Sequence, residues 1–361
     1  MRKNDDMTVL GGVFMAHAPQ FFTLPKTENK QIVNRVKKLA VANGERLSAL
    51  KPDLIVTVSN DHANQFALHC VPPFAIHRGK QATGSFAGKQ FEYQIASKEA
   101  TELIRYLYTE GFDVSHTTTA EVEYSLGIPM EFMGVGDIPI LPLFVNAYVP
   151  PQPRMERCYA LGEAIRRGLR ALGLRVIVMV SGGMSHFPGT ERYAEPDLDF
   201  DKKVLGEISD GNLRYLLALD EKRLDETGNI ELRCWGVGAG LLGERKPDKL
   251  SLDPSWHHNY ATLAWWSKPT RLEFTPHYPA ISSERLELTK ILHRLANDTG
   301  ERDLYAADPN AYVKELDLKK IEKKALIELS DTKFVELGVH PFMSFMARLH
   351  IERGGKRKES S

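Results

Sequence analysis

"RVIVMVSGGMSHFPG", residues 175–189, decides how the rest of the chain is read. An unbroken apolar run from Val176 to Val180 that stops at two glycines predicts a strand buried on both faces, as inside a parallel sheet. A strand that only has to turn needs Gly or Asn, and it has no use for an imidazole. Yet Ser185, His186 and Pro188 stand at this lip. The arrangement recurs twice: "VFMAHAP" (13–19) puts His17 after a first apolar run, and "LIVTVSNDH" (54–62) puts His62 after a second. Functional groups in open α/β sheets gather where strand C-termini give way to loops. One such histidine is most simply bonded to a loop carbonyl; three in equivalent positions point to one site.

Around these runs the chain alternates short β-branched segments with amphipathic ones, which predicts an α/β fold: a central, mostly parallel sheet flanked by helices. Strands are expected at 8–15, 54–59, 138–146 and 175–181, and helices at 30–50, 98–110 and 155–172. Further helices are expected at 199–209, 211–219 and 230–242, and "DPSWHHNYATLAWWSKP" (253–269) opens a last strand. From about Ser283 the pattern turns all-helical (284–296, 308–315, 318–330 and 332–349), with "DPNAY" as a start signal and Gly338 as a breaker. The expected organisation is an α/β domain over 1–282, a small C-terminal all-helical module over 283–351 and a solvated tail over 352–361.

Composition excludes several classes. Forty-seven basic residues against 47 acidic ones give zero formal charge, so nothing marks the chain for nucleic acid. Three scattered cysteines (Cys70, Cys158, Cys234) support neither a disulfide framework nor a thiolate metal site. The charged start "MRKNDDMTVLGG" is not expected to be a signal peptide, and no apolar run approaches a membrane span. A cytoplasmic protein with a small-molecule partner is the expectation.

Two neutral histidines and one carboxylate on one face would suit a ferrous ion with open positions. Glu231, in "GNIELRCWGVGAGLLG" (228–243), is one carboxylate on offer, although a Glu in a first helical turn also serves as a dipole partner or cap. Asp61, Glu121, Glu123 and Asp201 are the others; Asp61, directly before His62, is also a candidate to orient a ring, although adjacent side chains on a strand point apart.

"FMAHAP", "VSNDHANQF", "VSGGMSHFPG" and "NIELRCW", taken together and in this order, resemble the class III extradiol ring-cleavage dioxygenases of the protocatechuate 4,5-dioxygenase type. The resemblance runs over residues 1–280 for the catalytic β-type subunit. The stretch beginning "DPNAYVKELDLKKIEKKALIELSDTKF" (308–334) resembles the small helical α-type subunit, fused behind it as in gallate dioxygenases. It implies Fe(II) held by His17, His62 and Glu231, dioxygen as co-substrate, and His186 as an unligated acid/base. A homodimer is also expected, with the helical module packed over the mouth of the site, within the chain or across the dimer. Ser185 is expected to support its loop, since no general base is paired with it.

One departure stands out. Family members carry a pocket-lining histidine in a "DHG…P" stretch, where this chain reads "VEYSLGIPM" (122–130), so Tyr124 takes its place. A phenol still hydrogen-bonds a substrate oxygen but brings no positive charge at neutral pH. The expected reaction is extradiol cleavage of a catechol-like, aminophenolic or hydroxypyridine ring. The competing readings are a non-catalytic binding protein of the same fold, expected to have lost one of the four residues, and a zinc hydrolase using the same ligands without oxygen.

Overall fold

In the computed structural model, which describes residues 8–62, 64–66, 70–267, 278 and 280–358, the run Val176–Ser181 is a strand with every residue buried. The strands in chain order are β1 (Val9–Met15), β2 (Leu54–Ser59), β3 (Phe74–His77), β4 (Gln81–Phe86), β5 (Lys89–Gln94), β6 (Ser115–Thr117), β7 (Ala120–Glu121), β8 (Ile140–Val145), β9 (Val176–Ser181), β10 (Lys249–Pro254) and β11 (Asn259–Trp265). Eight form one mixed sheet in the order β10-β11-β1-β9-β2-β8-β3-β6. Its centre, β1-β9-β2-β8, is parallel throughout, while β11 and β3 join it antiparallel.

The continuous apolar runs follow from burial on both faces. Along β9, Val176, Val178 and Val180 enter one core, with Leu103, Ile165 and Trp235, while Ile177 and Met179 enter the other, with Val33, Leu47 and Met130. This is the two-residue alternation of a strand seen from both sides. The first core is covered by helices including Ser97–Thr109, Met155–Ala171 and Leu232–Leu242, the second by Lys30–Ser48 and Tyr124–Met133.

The glycines of "GVGAGLLG" have a packing role. A Cβ on Gly240 would lie 2.1 Å from the Tyr159 carbonyl oxygen, and one on Gly162 would lie 2.0 Å from that of Val237. Helices Met155–Ala171 and Leu232–Leu242 therefore cross backbone to backbone, which seats the latter helix, and Glu231 at its N-terminal end, close on the sheet.

The chain divides into two compact units, Met1–Arg271 and Leu272–Ser361. The second is helical: Leu286–Asn297, Thr299–Ala307, Pro309–Lys314, Lys320–Glu328, Asp331–Glu336 and Pro341–Lys358. It has its own core of Leu288, Leu292, Leu295, Tyr305, Leu326 and Phe334. Among the described residues, no helix is long and apolar enough to cross a membrane.

Several expectations are corrected. The helix expected over 332–349 is two helices, broken where Gly338 takes a φ of +75° and Pro341 restarts the chain. The segment 211–219 forms a short 3₁₀ helix, Leu213–Ala218. Where one last strand was expected there are two, β10 and β11, paired with each other, and the final residues of the expected stretch fall outside those described. The stretch read as a tail is helical up to Lys358. Unforeseen were helix Thr299–Ala307, helix Tyr124–Met133 and a small second sheet of β5, β4 and β7.

Candidate metal centre

β1, β9 and β2 are neighbours and parallel, so the loops that follow them leave the same edge of the sheet. That edge carries His17, His186 and His62. Glu231 reaches it from one side, at the start of helix Leu232–Leu242. One ligand atom from each of His17, His62 and Glu231 lies within 4.8 Å of the other two.

Each imidazole has its far nitrogen held. The Ser181 hydroxyl donates to the Ser125 carbonyl, and its oxygen is 2.7 Å from His17 Nδ1. With that hydroxyl proton committed, Nδ1 must carry the hydrogen, which leaves a lone pair on Nε2. His62 Nδ1 lies 2.6 Å from the Glu123 carboxylate, which can only accept, and this fixes the same tautomer. Both Nε2 atoms face Glu231 Oε1, at 3.2 Å for His17 and 3.4 Å for His62.

Glu231 is fully buried and does not cap its helix. Oε2 accepts from the Gly183 N–H at 2.7 Å; Oε1 accepts from the Tyr148 hydroxyl at 2.9 Å and from Asn60 Nδ2 at 3.3 Å. Gly183 is required there, because a Cβ would sit 1.9 Å from His258 Nε2. Burial alone would raise the Glu231 pKa, but His17 and His186 beside it and the bonds to His17 and His62 hold it well below the usual carboxylate range. At His62, burial lowers the pKa, yet Glu123 and Glu231 outweigh it and raise the ring to about 9. This corner of the site therefore favours positive charge. When a metal takes the place of the His62 proton, two imidazole lone pairs and a carboxylate oxygen converge here, and three acceptors in a buried space are stabilised by a cation between them. The donor set fits a divalent metal of the imidazole–carboxylate type.

His186 stands beside this triad. Its Nε2 is 3.8 Å from Glu231 Oε1 and 3.1 Å from the Tyr148 oxygen, while Nδ1 is 3.0 Å from the Met184 carbonyl. Its ring stacks on His258 with centroids 4.1 Å apart and planes within 2°. Burial lowers its pKa, so the neutral ring with a free Nε2 lone pair is favoured. Tyr124 stacks on His62 at 4.5 Å, and burial followed by the nearby carboxylates keeps its phenol protonated. A cavity of about 580 Å³ opens against His62 and Tyr124, with Thr83, Phe86 and Glu121 on its walls.

The sequence pattern of one family, described as "Catalytic LigB subunit of aromatic ring-opening dioxygenase", matches residues 11–264. The chain belongs to this family. It is an enzyme, an aromatic ring-opening dioxygenase of the class III extradiol group that the four motifs resemble. A relative named 2,3-dihydroxyphenylpropionate/2,3-dihydroxicinnamic acid 1,2-dioxygenase, from Escherichia coli O139:H28, is 27% identical over 259 residues, 71% of this chain and 77% of its own. The protein of the same name from Escherichia coli K12 shows the same identity and coverage. A solved structure, that of the uncharacterized protein JW3007 of Escherichia coli K12, is 14% identical and covers 71% of this chain and 99% of its own, with a TM-score of 0.48.

Within this LigB-family fold, the structure brings His17, His62, Glu231, His186 and Tyr124 together and assigns the other carboxylates elsewhere. Asp61 does not orient the His62 ring; it accepts the backbone N–H groups of Asn64, Gln65 and Phe66 and so shapes the loop. Glu123 does the orienting instead. Asp201 is an anchor that accepts from Ser185 N, Ser185 Oγ, Asn229 and Asn259 at 2.8–3.0 Å. The Ser185 hydroxyl is thereby tied into its loop. Glu121 lines the cavity. Sequence reasoning missed Ser181, Asn60, Tyr148 and His258, which touch the site from strand ends and loops without a spacing signal. Ser181, Asn60 and His258 lay inside stretches that had drawn notice, but for other residues in them; Tyr148 lay in none of the motifs.

Proposed function

We propose that this enzyme is an Fe(II)-dependent extradiol dioxygenase, with His17, His62 and Glu231 as iron ligands, His186 as acid/base and a catechol-like ring as substrate. The observation that carries the reading is the convergence of two Nε2 lone pairs and Glu231 Oε1, each ring fixed from behind. Held by His17, His62 and Glu231, Fe(II) would supply a Lewis acid that lowers the pKa of a bound ring hydroxyl and a redox centre that links the ring to dioxygen. The chain's own residues do the rest. His186 Nε2 takes the proton of the second hydroxyl and returns it as the ring opens, while its Nδ1–H stays on the Met184 carbonyl. His258 holds the ring flat against its own. Tyr124 offers a neutral hydroxyl to a substrate oxygen from the cavity wall beside His62.

All four residues that a binding-only relative would be expected to lose in part are present and adjacent, which favours catalysis. The family favours oxygen chemistry over a zinc hydrolase. The relatives named for 2,3-dihydroxyphenylpropionate support an ortho-dihydroxylated ring. We further assign the helical unit as α-subunit-like and the enzyme as a cytoplasmic homodimer, in keeping with three free cysteines. The test is oxygen uptake by the ferrous protein across catechols, protocatechuate, gallates, 2-aminophenols and dihydroxypyridines. Stoichiometric oxygen consumption with a ring-opened product on at least one supports the proposal. Equal turnover of an ester or amide by the zinc form without oxygen overturns it.

A further inference from the structure

Tyr148 follows β8 in "VNAYVP" and belongs to none of the motifs that pointed to the site. Its hydroxyl carries one proton and faces two acceptors: Glu231 Oε1 at 2.9 Å and His186 Nε2 at 3.1 Å. Its ring lies 5.0 Å from that of His62. Glu231 Oε2 is already held by the Gly183 N–H, so the Tyr148 bond, with a longer one from Asn60, sets how Oε1 is turned toward His17 and His62. The His186 Nδ1–H is spent on the Met184 carbonyl, and the Tyr148 oxygen lies within hydrogen-bond distance of Nε2, its single proton shared between Nε2 and Glu231 Oε1. His258 constrains the plane of the ring but holds neither nitrogen.

We propose that Tyr148 is a positioning residue that couples the ligand carboxylate to the base: one hydroxyl aims Glu231 Oε1 at the metal and holds His186 Nε2 beside it. When His186 is neutral, the Tyr148 proton can go to either acceptor. When His186 carries a proton taken from substrate, Nε2–H donates to the Tyr148 oxygen and the Tyr148 proton goes to Glu231. The hydroxyl reverses its bonding without leaving its place, and no atom has to move far. The inference rests on the ligand and base assignments proposed above.

The test uses Tyr148→Phe, His186→Phe and the double variant in the full chain. Affinity for Co(II) is measured by chelator competition, and kcat and KM are measured on the iron-loaded proteins. Tyr148→Phe should weaken Co(II) binding by about 10–100-fold, the usual cost of losing a partner behind a metal ligand, whereas His186→Phe should leave it unchanged. At saturating iron, Tyr148→Phe should lower kcat with little change in KM. In the His186→Phe background it should lower kcat by a smaller factor than in the wild type, since the Tyr148–His186 contact is already gone and only the Glu231 contact is left to lose. Wild-type Co(II) affinity in Tyr148→Phe, or independent, multiplicative losses of kcat, would overturn the proposal. If the phenylalanine variant does not fold, 3-fluorotyrosine at position 148 serves instead. Its ¹⁹F resonance should shift on Zn(II) titration and saturate at one equivalent, and an unmoved resonance overturns the proposal. The metal-affinity and ¹⁹F arms read the Tyr148–Glu231 bond even if no ring substrate is turned over, so failure here is separable from failure of the dioxygenase reading.

Discussion

Replacing Ser181 with alanine isolates the reasoning about His17. Ser181 gives its proton to the Ser125 carbonyl and accepts from His17 Nδ1 at 2.7 Å, and the ring is buried, so water cannot step in for the lost oxygen. Leaving a buried N–H without an acceptor costs about 1–3 kcal/mol. The ring can escape that cost by moving its proton to Nε2, where Glu231 Oε1 waits at 3.2 Å. The metal-free variant therefore loses little stability, but its Nε2 lone pair is gone. Restoring it to bind metal reinstates most of the cost, so metal affinity should fall by about 10–100-fold, or roughly 1.4–2.7 kcal/mol at about 1.4 kcal/mol per tenfold. The assay is Co(II) or Zn(II) competition against a chelator, with urea unfolding of the metal-free protein alongside. Affinity within twofold of wild type would refute the tautomer argument, whatever happened to stability.

Other consequences can be checked as directly. Gly183→Ala should cut metal occupancy and turnover together, because its Cβ would displace His258 and pull the N–H that holds Glu231 Oε2; wild-type occupancy would show that the loop yields freely. Gly162→Leu should destabilise the first unit by more than about 2 kcal/mol, since the two helices would have to part; an unchanged urea midpoint would contradict the backbone-to-backbone crossing. His77 is buried and its pKa is pushed down to about 4 by burial, so the unfolded chain binds the extra proton between about pH 6.5 and 4. Stability from this group is full above that window and is lost as pH falls, by about 2 kcal/mol from pH 7 to 5 at about 1.4 kcal/mol per pKa unit. His77→Leu should lack that component, which urea unfolding of both proteins at the two pH values would reveal.

The strand ends were readable because burial on both faces writes an apolar run that needs no partner to be recognised, and β2 and β9 came out where "LIVTVS" and "VIVMVS" put them. His17, His62 and His186 were legible for the same reason: each breaks such a run with a residue the turn does not need. Glu231 needed the family resemblance, since its own helix start also suits a capping acid, and only the structure shows that it caps nothing. The partners behind the ligands were hidden. Ser181, Glu123 and Tyr148 lie far in sequence from the rings or carboxylate they hold, and pairing across the sheet leaves no local trace. The small sheet of β4, β5 and β7 was missed because "QATGSF" is short and half exposed, without the apolar run that marks the central strands. For Asp61 the objection was already legible in the sequence, since neighbours on an extended chain point apart, and the structure bears it out.

The central claim is that three residues hold the metal and the fourth stands beside it. Metal content of the purified full chain, reconstituted with Fe(II) without oxygen and desalted, tests this across four variants. The proposed assignment predicts one iron per chain in wild type and in His186→Phe, the latter turning over about 10²–10⁴-fold more slowly, and no retained iron in His17→Ala, His62→Ala or Glu231→Ala. An iron-free His186→Phe would make that histidine a ligand, and full iron in any of the other three would remove that residue from the set.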